Sequence, residues 1–93
     1  MARRARPLRR EPVRGPSYAY TAVFEPAPEG GYTVTVPALP GLVTEGETLE
    51  EARRMVADAI VGYLESLRRE GETIPPEREA PRTERVTVTL SPE

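Results

Sequence analysis

The sequence contains neither cysteine nor histidine, and each absence narrows the range of functions. Without cysteine the chain cannot form disulfides, use a thiol nucleophile or bind metal through thiolates. Without histidine it lacks the commonest general base and the commonest metal ligand among the side chains. We therefore expect no enzyme activity, no cofactor and no bound metal.

Lysine, asparagine and glutamine are absent as well, so all 13 basic residues are arginine, and 11 residues are proline. Missing amides and additional loop prolines are features of heat-adapted proteins. A genome with biased codon usage produces the same composition. The composition leads us to expect a thermophilic bacterial source.

No run of about 18 apolar residues is present, as a membrane-spanning helix would require. The arginine-rich start is not followed by the apolar stretch of a secretory signal. We therefore expect a cytoplasmic protein. A chain of 93 residues allows one small domain, and because such a domain buries a modest share of its surface, association with a partner is expected.

The net charge of −2 combines a basic start with an acidic remainder: residues 1–17 carry +5 and residues 18–93 carry −7. High charge and three prolines predict a disordered basic arm over residues 1–17, followed by one domain over residues 18–93. The arm offers candidate contacts for nucleic-acid phosphates. A tail without a role is the alternative that we favour, because no element that reads bases accompanies the charge. The candidates are Arg3, Arg4, Arg6, Arg9, Arg10 and Arg14.

A β-hairpin is predicted near the start of the domain. Residues 18–24 and 32–36 are rich in aromatic and β-branched side chains, and a turn cluster of proline and glycine separates them. Pairing Phe24 with Tyr32 places the larger apolar side chains of both strands on one face and the threonines on the other.

A long amphipathic helix is predicted over residues 49–70. Thr48 is a suitable N-cap residue, and Glu51 completes a capping box three residues later. Gly71 is expected to end the helix. The apolar stripe recurs at helical spacing and consists of Leu49, Ala52, Val56, Ala59, Ile60, Tyr63, Leu64 and Leu67.

Two further strands complete the predicted α+β fold. Residues 42–45 form a short third strand, and residues 85–90 alternate again as a fourth. The expected order of elements is β-β-β-α-β. Since a crossover through a helix is right-handed, the fourth strand lies beside the first, giving a four-stranded mixed sheet of order 3-2-1-4 with one helix packed on one face.

Six short motifs between residues 20 and 75 match a known family pattern in order and spacing. The pattern is a hairpin ending in Gly-Tyr, then Val-x-Val-Pro, a Leu-Pro-Gly turn, Gly-Asp/Glu-Thr before a helix that begins with Glu-Glu-Ala, and a Gly-Glu-x-Ile-Pro tail. In these motifs the chain resembles the HicB-like antitoxin family. The matching residues are Gly31-Tyr32, Val34-Thr35-Val36-Pro37, Leu39-Pro40-Gly41, Gly46-Glu47-Thr48, Glu50-Glu51-Ala52 and Gly71-Glu72-Thr73-Ile74-Pro75.

The resemblance implies a fold similar to a truncated ribonuclease H sheet and a role as the antitoxin of a toxin–antitoxin pair. The implied partner is a small, basic, RNA-cleaving toxin, which the antitoxin silences by covering its active site. Many members of the family continue into a C-terminal DNA-binding domain, whereas this sequence ends at Glu93. Operator binding is therefore not carried over to this chain. Ala38 stands where the family often has an acidic residue.

Two other functions are weighed against the antitoxin role. The first is nucleic-acid binding through the arginine arm. The second is a residual nuclease activity, which requires several carboxylates converging on divalent metal ions. The first two predicted strands, residues 18–24 and 32–36, contain no acidic residue. The sequence therefore favours protein binding over cleavage.

Acidic residues cluster just before and at the start of the predicted helix. Capping and the helix dipole account for Glu50 and Glu51. Glu45 and Glu47 are left as candidate contacts for a basic toxin.

Self-association is expected through the face of the sheet that the single helix does not cover. This face is rich in threonine and nearly uncharged, which suits contact with a second copy. The free edge of the fourth strand offers another route. We therefore predict a homodimer or a homotetramer.

Overall fold

The computed structural model describes residues 16–92 of the chain. Three strands and one helix follow one another as β1 (Val23–Pro26), β2 (Tyr32–Thr35), β3 (Val43–Gly46) and α1 (Leu49–Arg69). The strands form an antiparallel sheet in the order β1-β2-β3. The predicted α+β class, with three strands followed by a helix, is confirmed.

The β1–β2 turn is tighter than predicted. The Ala27 amide donates a hydrogen bond of 2.9 Å to the Gly31 carbonyl, which closes the turn two residues later than the sequence indicated. Phe24 therefore lies opposite Val34, and the predicted pairing of Phe24 with Tyr32 is wrong by two residues. Because a shift of two residues preserves the faces of a strand, the apolar side chains still point to the same side.

The turn after β2 contributes to the core, which the sequence did not predict. Pro37 ends the strand, and the Leu39 amide then donates to the Val36 carbonyl at 2.9 Å. The Leu42 amide donates to the Leu39 carbonyl at 3.2 Å. These local bonds turn the chain inward, so that the side chain of Leu39 is 0% exposed between two exposed prolines.

Both ends of α1 are capped as the sequence predicts. The Thr48 hydroxyl accepts a hydrogen bond of 3.0 Å from the Glu51 amide, and the Glu51 carboxylate accepts one of 2.7 Å from the Glu47 amide. At the other end Gly71 has a φ of 72°, and the Glu72 amide donates to the Leu67 carbonyl at 2.8 Å, which is the Schellman arrangement. Over residues 16–92, no helix has both the length and the apolar content needed to cross a membrane.

The core lies between the helix and one face of the sheet. α1 packs mainly across β3 and β2, and β1 lies at the side that the helix covers least. Leu49 is 38% exposed, so its predicted place in the buried stripe is wrong. The buried side chains are Val34, Val36, Leu39, Leu42, Ala52, Val56 and Leu64.

The segment after the helix differs most from the prediction. Residues 85–90 pair with no strand within the described part of the chain, so that part does not form the predicted order 3-2-1-4. The reason lies upstream, where Glu77 already contacts Thr21, two residues before β1. From there an extended chain to residue 85 covers about 26 Å at about 3.3 Å per residue, which carries it past the end of the four-residue β1.

Candidate functional site

An acidic cleft lies beside the N-terminal end of α1. The β1–β2 turn forms one wall, the end of β3 forms the floor, and the first turns of α1 form the other wall. The cleft has a volume of about 700 Å³. Its lining consists of Ala27, Glu29, Gly30, Gly31, Tyr32, Thr33, Glu45, Gly46, Glu47, Glu51 and Met55.

Two glycines allow the walls of the acidic cleft to approach one another. A Cβ at Gly46 would lie 2.5 Å from the Ala52 nitrogen, so β3 could not pack against the helix start with any other residue there. A Cβ at Gly31 would lie 2.7 Å from the Gly46 carbonyl oxygen, and Gly31 also has a φ of 79°. The hairpin turn, β3 and α1 meet at this point because both side chains are absent.

Four carboxylates line the acidic cleft, and no arginine lies among its lining residues. Glu45 and Glu47 are exposed, as is Glu29 across the cleft. Glu51 is half-buried, and one of its oxygens is used by the capping bond to the Glu47 amide. Within residues 16–92 the single salt bridge joins Arg82 to Glu84, so none of the cleft carboxylates is neutralised there.

The structure therefore places both sequence-predicted contact residues, Glu45 and Glu47, in one cleft. The sequence did not indicate Glu29 or Met55, which complete the lining. Glu29 lies in the hairpin turn, and only the folded hairpin brings this turn beside the end of β3. Met55 is 41% exposed and adds a flexible apolar side chain to an otherwise charged wall.

The chemistry that the acidic cleft can perform is recognition of positive charge. Its carboxylates accept hydrogen bonds from arginine or lysine side chains. In the portion of the chain that the structure describes, no three acidic side chains come together as ligands for a metal ion.

A second feature, the Glu77 clip, ties the segment after the helix to Thr21, two residues before β1. The Glu77 carboxylate accepts a hydrogen bond of 2.6 Å from the Thr21 amide and one of 2.7 Å from the Thr21 hydroxyl. These bonds lower the pKa of Glu77 below its usual value. Beside the clip, the Tyr20 hydroxyl donates to the Pro75 carbonyl, and burial, followed by the nearby Tyr18 and Glu77, raises the pKa of Tyr20.

The tyrosines serve packing, as the sequence predicts. Tyr20, Tyr32 and Tyr63 are half-buried and pack against the core. The Tyr63 hydroxyl also donates a hydrogen bond of 2.8 Å to the Pro40 carbonyl, which fixes the turn after β2 on the helix. The predicted arm contacts, from Arg3 to Arg14, lie outside the described residues and remain predictions.

Comparisons with known proteins agree with the motifs. Residues 20–87 match the family model described as the HicB-like antitoxin of bacterial toxin–antitoxin systems. A UPF0150 protein of Thermoplasma acidophilum is 45% identical over 56 residues, which cover 60% of this chain and 81% of that relative. The antitoxin HicB 1 of Photorhabdus laumondii is 41% identical over 56 residues, which cover 60% of this chain and 36% of that relative.

The antitoxin HicB of Escherichia coli is 38% identical over 56 residues, which cover 60% of this chain and 41% of that relative. The chain thus aligns with less than half of the length of these two HicB antitoxins, but with most of the Thermoplasma protein. The family match extends over well more than half of the 93 residues. The chain belongs to the HicB-like antitoxins of bacterial toxin–antitoxin systems.

Proposed function

We propose that this protein is an antitoxin that silences a small, basic, RNA-cleaving toxin by covering its active site. The observation that carries the proposal is the acidic cleft of a chain that belongs to an antitoxin family: its lining contains four glutamates and no arginine, and three of these glutamates are exposed. The role is non-enzymatic, and it places the protein in the cytoplasm, where a toxin would meet messenger RNA.

Charge supports the direction of this pairing. A protein that cleaves RNA must attract phosphates, so the surface around its active site carries positive charge. Carboxylates spaced along a cleft present acceptor oxygens to the same arginine and lysine side chains. A complementary pair of this kind associates faster and rejects similarly charged surfaces, because like charges repel.

The geometry of the cleft adds rigidity to the charge. Glu45 is part of β3, and Glu47 precedes the capped first turn of α1. The Glu47 backbone is itself held by the Glu51 carboxylate. A surface on ordered elements loses little conformational entropy on binding, so more of its interaction energy contributes to affinity.

A binding experiment with matched variants tests the proposal. The probe is a purified small, basic, RNA-cleaving toxin of a bacterial toxin–antitoxin system, titrated into this protein by calorimetry. Replacing Glu45 and Glu47 by glutamine should weaken binding by about tenfold, which corresponds to about 1.4 kcal/mol. The control replaces Glu65, in the distant half of α1, and Glu70, which caps the C-terminal end of α1, and should leave affinity nearly unchanged, because both acids are exposed and lie outside the cleft.

Two outcomes would contradict the proposal. If the control weakened binding as much as the cleft variant, net charge rather than the acidic cleft would account for affinity. If the toxin kept cleaving RNA when saturated with the protein, binding would not cover its active site.

The remaining parts of the proposal concern the fold and assembly. We place the chain among truncated ribonuclease H-like sheets, in which a strand with the sequence of residues 85–90, from this chain or from a second copy, fills the fourth position beside β1 in the order 3-2-1-4. We also propose a homodimer or homotetramer. The exposed alternating segment at residues 85–90 supports both statements, because it needs a strand to pair with.

A further inference from the structure

An apolar segment with the alternation of a strand, but no strand to pair with, lies at the C-terminal end of the described chain. Val86, Val88 and Leu90 alternate with polar residues and are 79%, 75% and 85% exposed. Every residue from 78 to 92 is exposed. A long, exposed apolar strand is a surface that proteins normally cover.

The rest of the molecule has a matching vacancy at the outer edge of β1. Successive residues of a strand direct their backbone groups to opposite edges. Since the Ala27 amide points to the Gly31 carbonyl on the β2 side, the amides of Glu25 and Val23 also point to β2, and the amide of Phe24 points to the outer edge. Within residues 16–92, β1 pairs with β2 alone, so no strand meets this outer edge.

The core is also incomplete at this edge. On β2, Val34 and Val36 are 0% and 2% exposed. On the β1 side, Ala22 and Phe24 face the same core but are only half-buried, because α1 packs mainly across β2 and β3. A strand added beside β1 would cover both.

The alternation of residues 85–90 fits this position. With Val86, Val88 and Leu90 on the helix side, Thr87 and Thr89 fall on the opposite face. That face already carries Thr33 and Thr35 on β2. One orientation of the segment therefore continues both faces of the sheet.

The chain cannot easily deliver this strand to its own β1. The Glu77 clip fixes the chain at Thr21, two residues before β1, and the extended segment that follows leaves the domain, so that the described chain is 86 Å long but only 30 and 21 Å across. A connection that stays extended instead of turning back favours exchange between copies. Pro76 and Pro81 stiffen this connection.

From these observations we infer that residues 85–90 of one copy add to the outer edge of β1 in a second copy. The occupant of the vacant edge is thus a second molecule of this chain, and two copies exchange strands reciprocally. This inference is independent of the proposed toxin binding, since it concerns the edge of β1 and not the acidic cleft.

The test measures the mass of the full chain by sedimentation equilibrium at micromolar concentration. The wild type should have the mass of two chains or a multiple of it. Val88→Asp should reduce the mass to that of one chain, because a charge would enter the completed core. Thr89→Asp is the matched control on the opposite face and should keep the assembly.

Circular dichroism should show that both variants keep their helix, since neither alters a buried side chain of the monomer. A wild type with the mass of one chain would overturn the inference. It would also be overturned if Val88→Asp kept the assembly, or if Thr89→Asp dissociated it.

Discussion

Two segments of this chain share one pattern of alternating apolar residues, but one is buried in the sheet and the other is exposed. Residues 32–36 read Tyr-Thr-Val-Thr-Val, and residues 86–90 read Val-Thr-Val-Thr-Leu. In the first, Val34 is fully buried in the middle of the sheet. In the second, Val88 is 75% exposed. The comparison shows that alternation specifies a strand with one apolar face, but burial depends on whether a complementary edge lies within reach.

The difference arises from what precedes each segment. Residues 32–36 follow a five-residue turn that returns the chain onto β1, closed by the bond between the Ala27 amide and the Gly31 carbonyl. Residues 86–90 follow a proline-containing connection that starts at the Glu77 clip and does not turn back. Tight turns determine pairing within a chain, whereas open connections leave a strand to other chains.

The largest expected effect is a difference in stability between charge placed at a buried valine, Val34, and charge placed at an exposed valine of the second segment, Val86. Val34→Asp should unfold the protein, because an unpaired buried charge costs several kcal/mol and a small domain has only about 5–15 kcal/mol of stability. Val86→Asp should leave the unfolding free energy of the dilute monomer within about 0.5 kcal/mol, as surface changes usually do. Urea unfolding followed by circular dichroism measures both. Equal destabilisation by the two variants would remove the distinction.

The next largest effect is the loss of stability when a buried residue outside any strand, Leu39, is shortened. Leu39→Ala should cost about 2–5 kcal/mol, since a fully buried leucine leaves a cavity. Leu49→Ala is the matched control on an exposed helical position and should cost less than about 1 kcal/mol. Urea midpoints of the two variants give the answer. A Leu39 variant as stable as the control would mean that the turn after β2 does not belong to the core.

A smaller effect is expected at the start of α1. Thr48→Ala should cost about 1 kcal/mol, because the Glu51 amide loses its acceptor. Thr48→Ser keeps the hydroxyl and should restore most of the stability. Thermal unfolding of the three proteins measures this. If Thr48→Ser were as unstable as Thr48→Ala, the hydrogen bond would not explain the loss.

The smallest effect lies where the two regions meet, at the Glu77 clip. The pKa of Glu77 is lowered in the folded state by the bonds from Thr21. Its contribution to stability is therefore complete above the pKa of an unfolded glutamate and is lost as the pH falls through the folded value. Glu77→Gln should lower the melting temperature slightly at pH 7, and this difference should shrink as the pH falls below about 4.3, the ordinary pKa of a glutamate. A difference that grew on acidification would contradict the clip.

Much of the fold could be predicted from the sequence because local signals agreed. The capping box at Thr48 and Glu51, the glycine after the helix and the strand at residues 32–36 all act over a few residues, and each was found where predicted. The burial of Leu39 was missed, since a leucine between prolines reads as a loop. Its place in the core depends on the helix packing over the turn, which no local pattern reveals.

The candidate site was only partly predictable for the same reason. Glu45 and Glu47 stood out because the helix cap explained their neighbours but not them. Glu29 belongs to the same cleft through a contact between the hairpin turn and β3. Glu77 offered no signal at all, because its partner Thr21 lies 56 residues away in the sequence.

The most direct test is hydrogen exchange at residues 86–90. It shows whether this segment pairs with β1 of a second copy, as residues 32–36 pair with strands of their own chain. At a concentration well above the association midpoint, those amides of this segment that face β1 of the partner should exchange slowly, as the amides of residues 32–36 do. On dilution to single chains, the protection of residues 86–90 should disappear while that of residues 32–36 remains. Rapid exchange of residues 86–90 in a fully assembled sample would contradict this account.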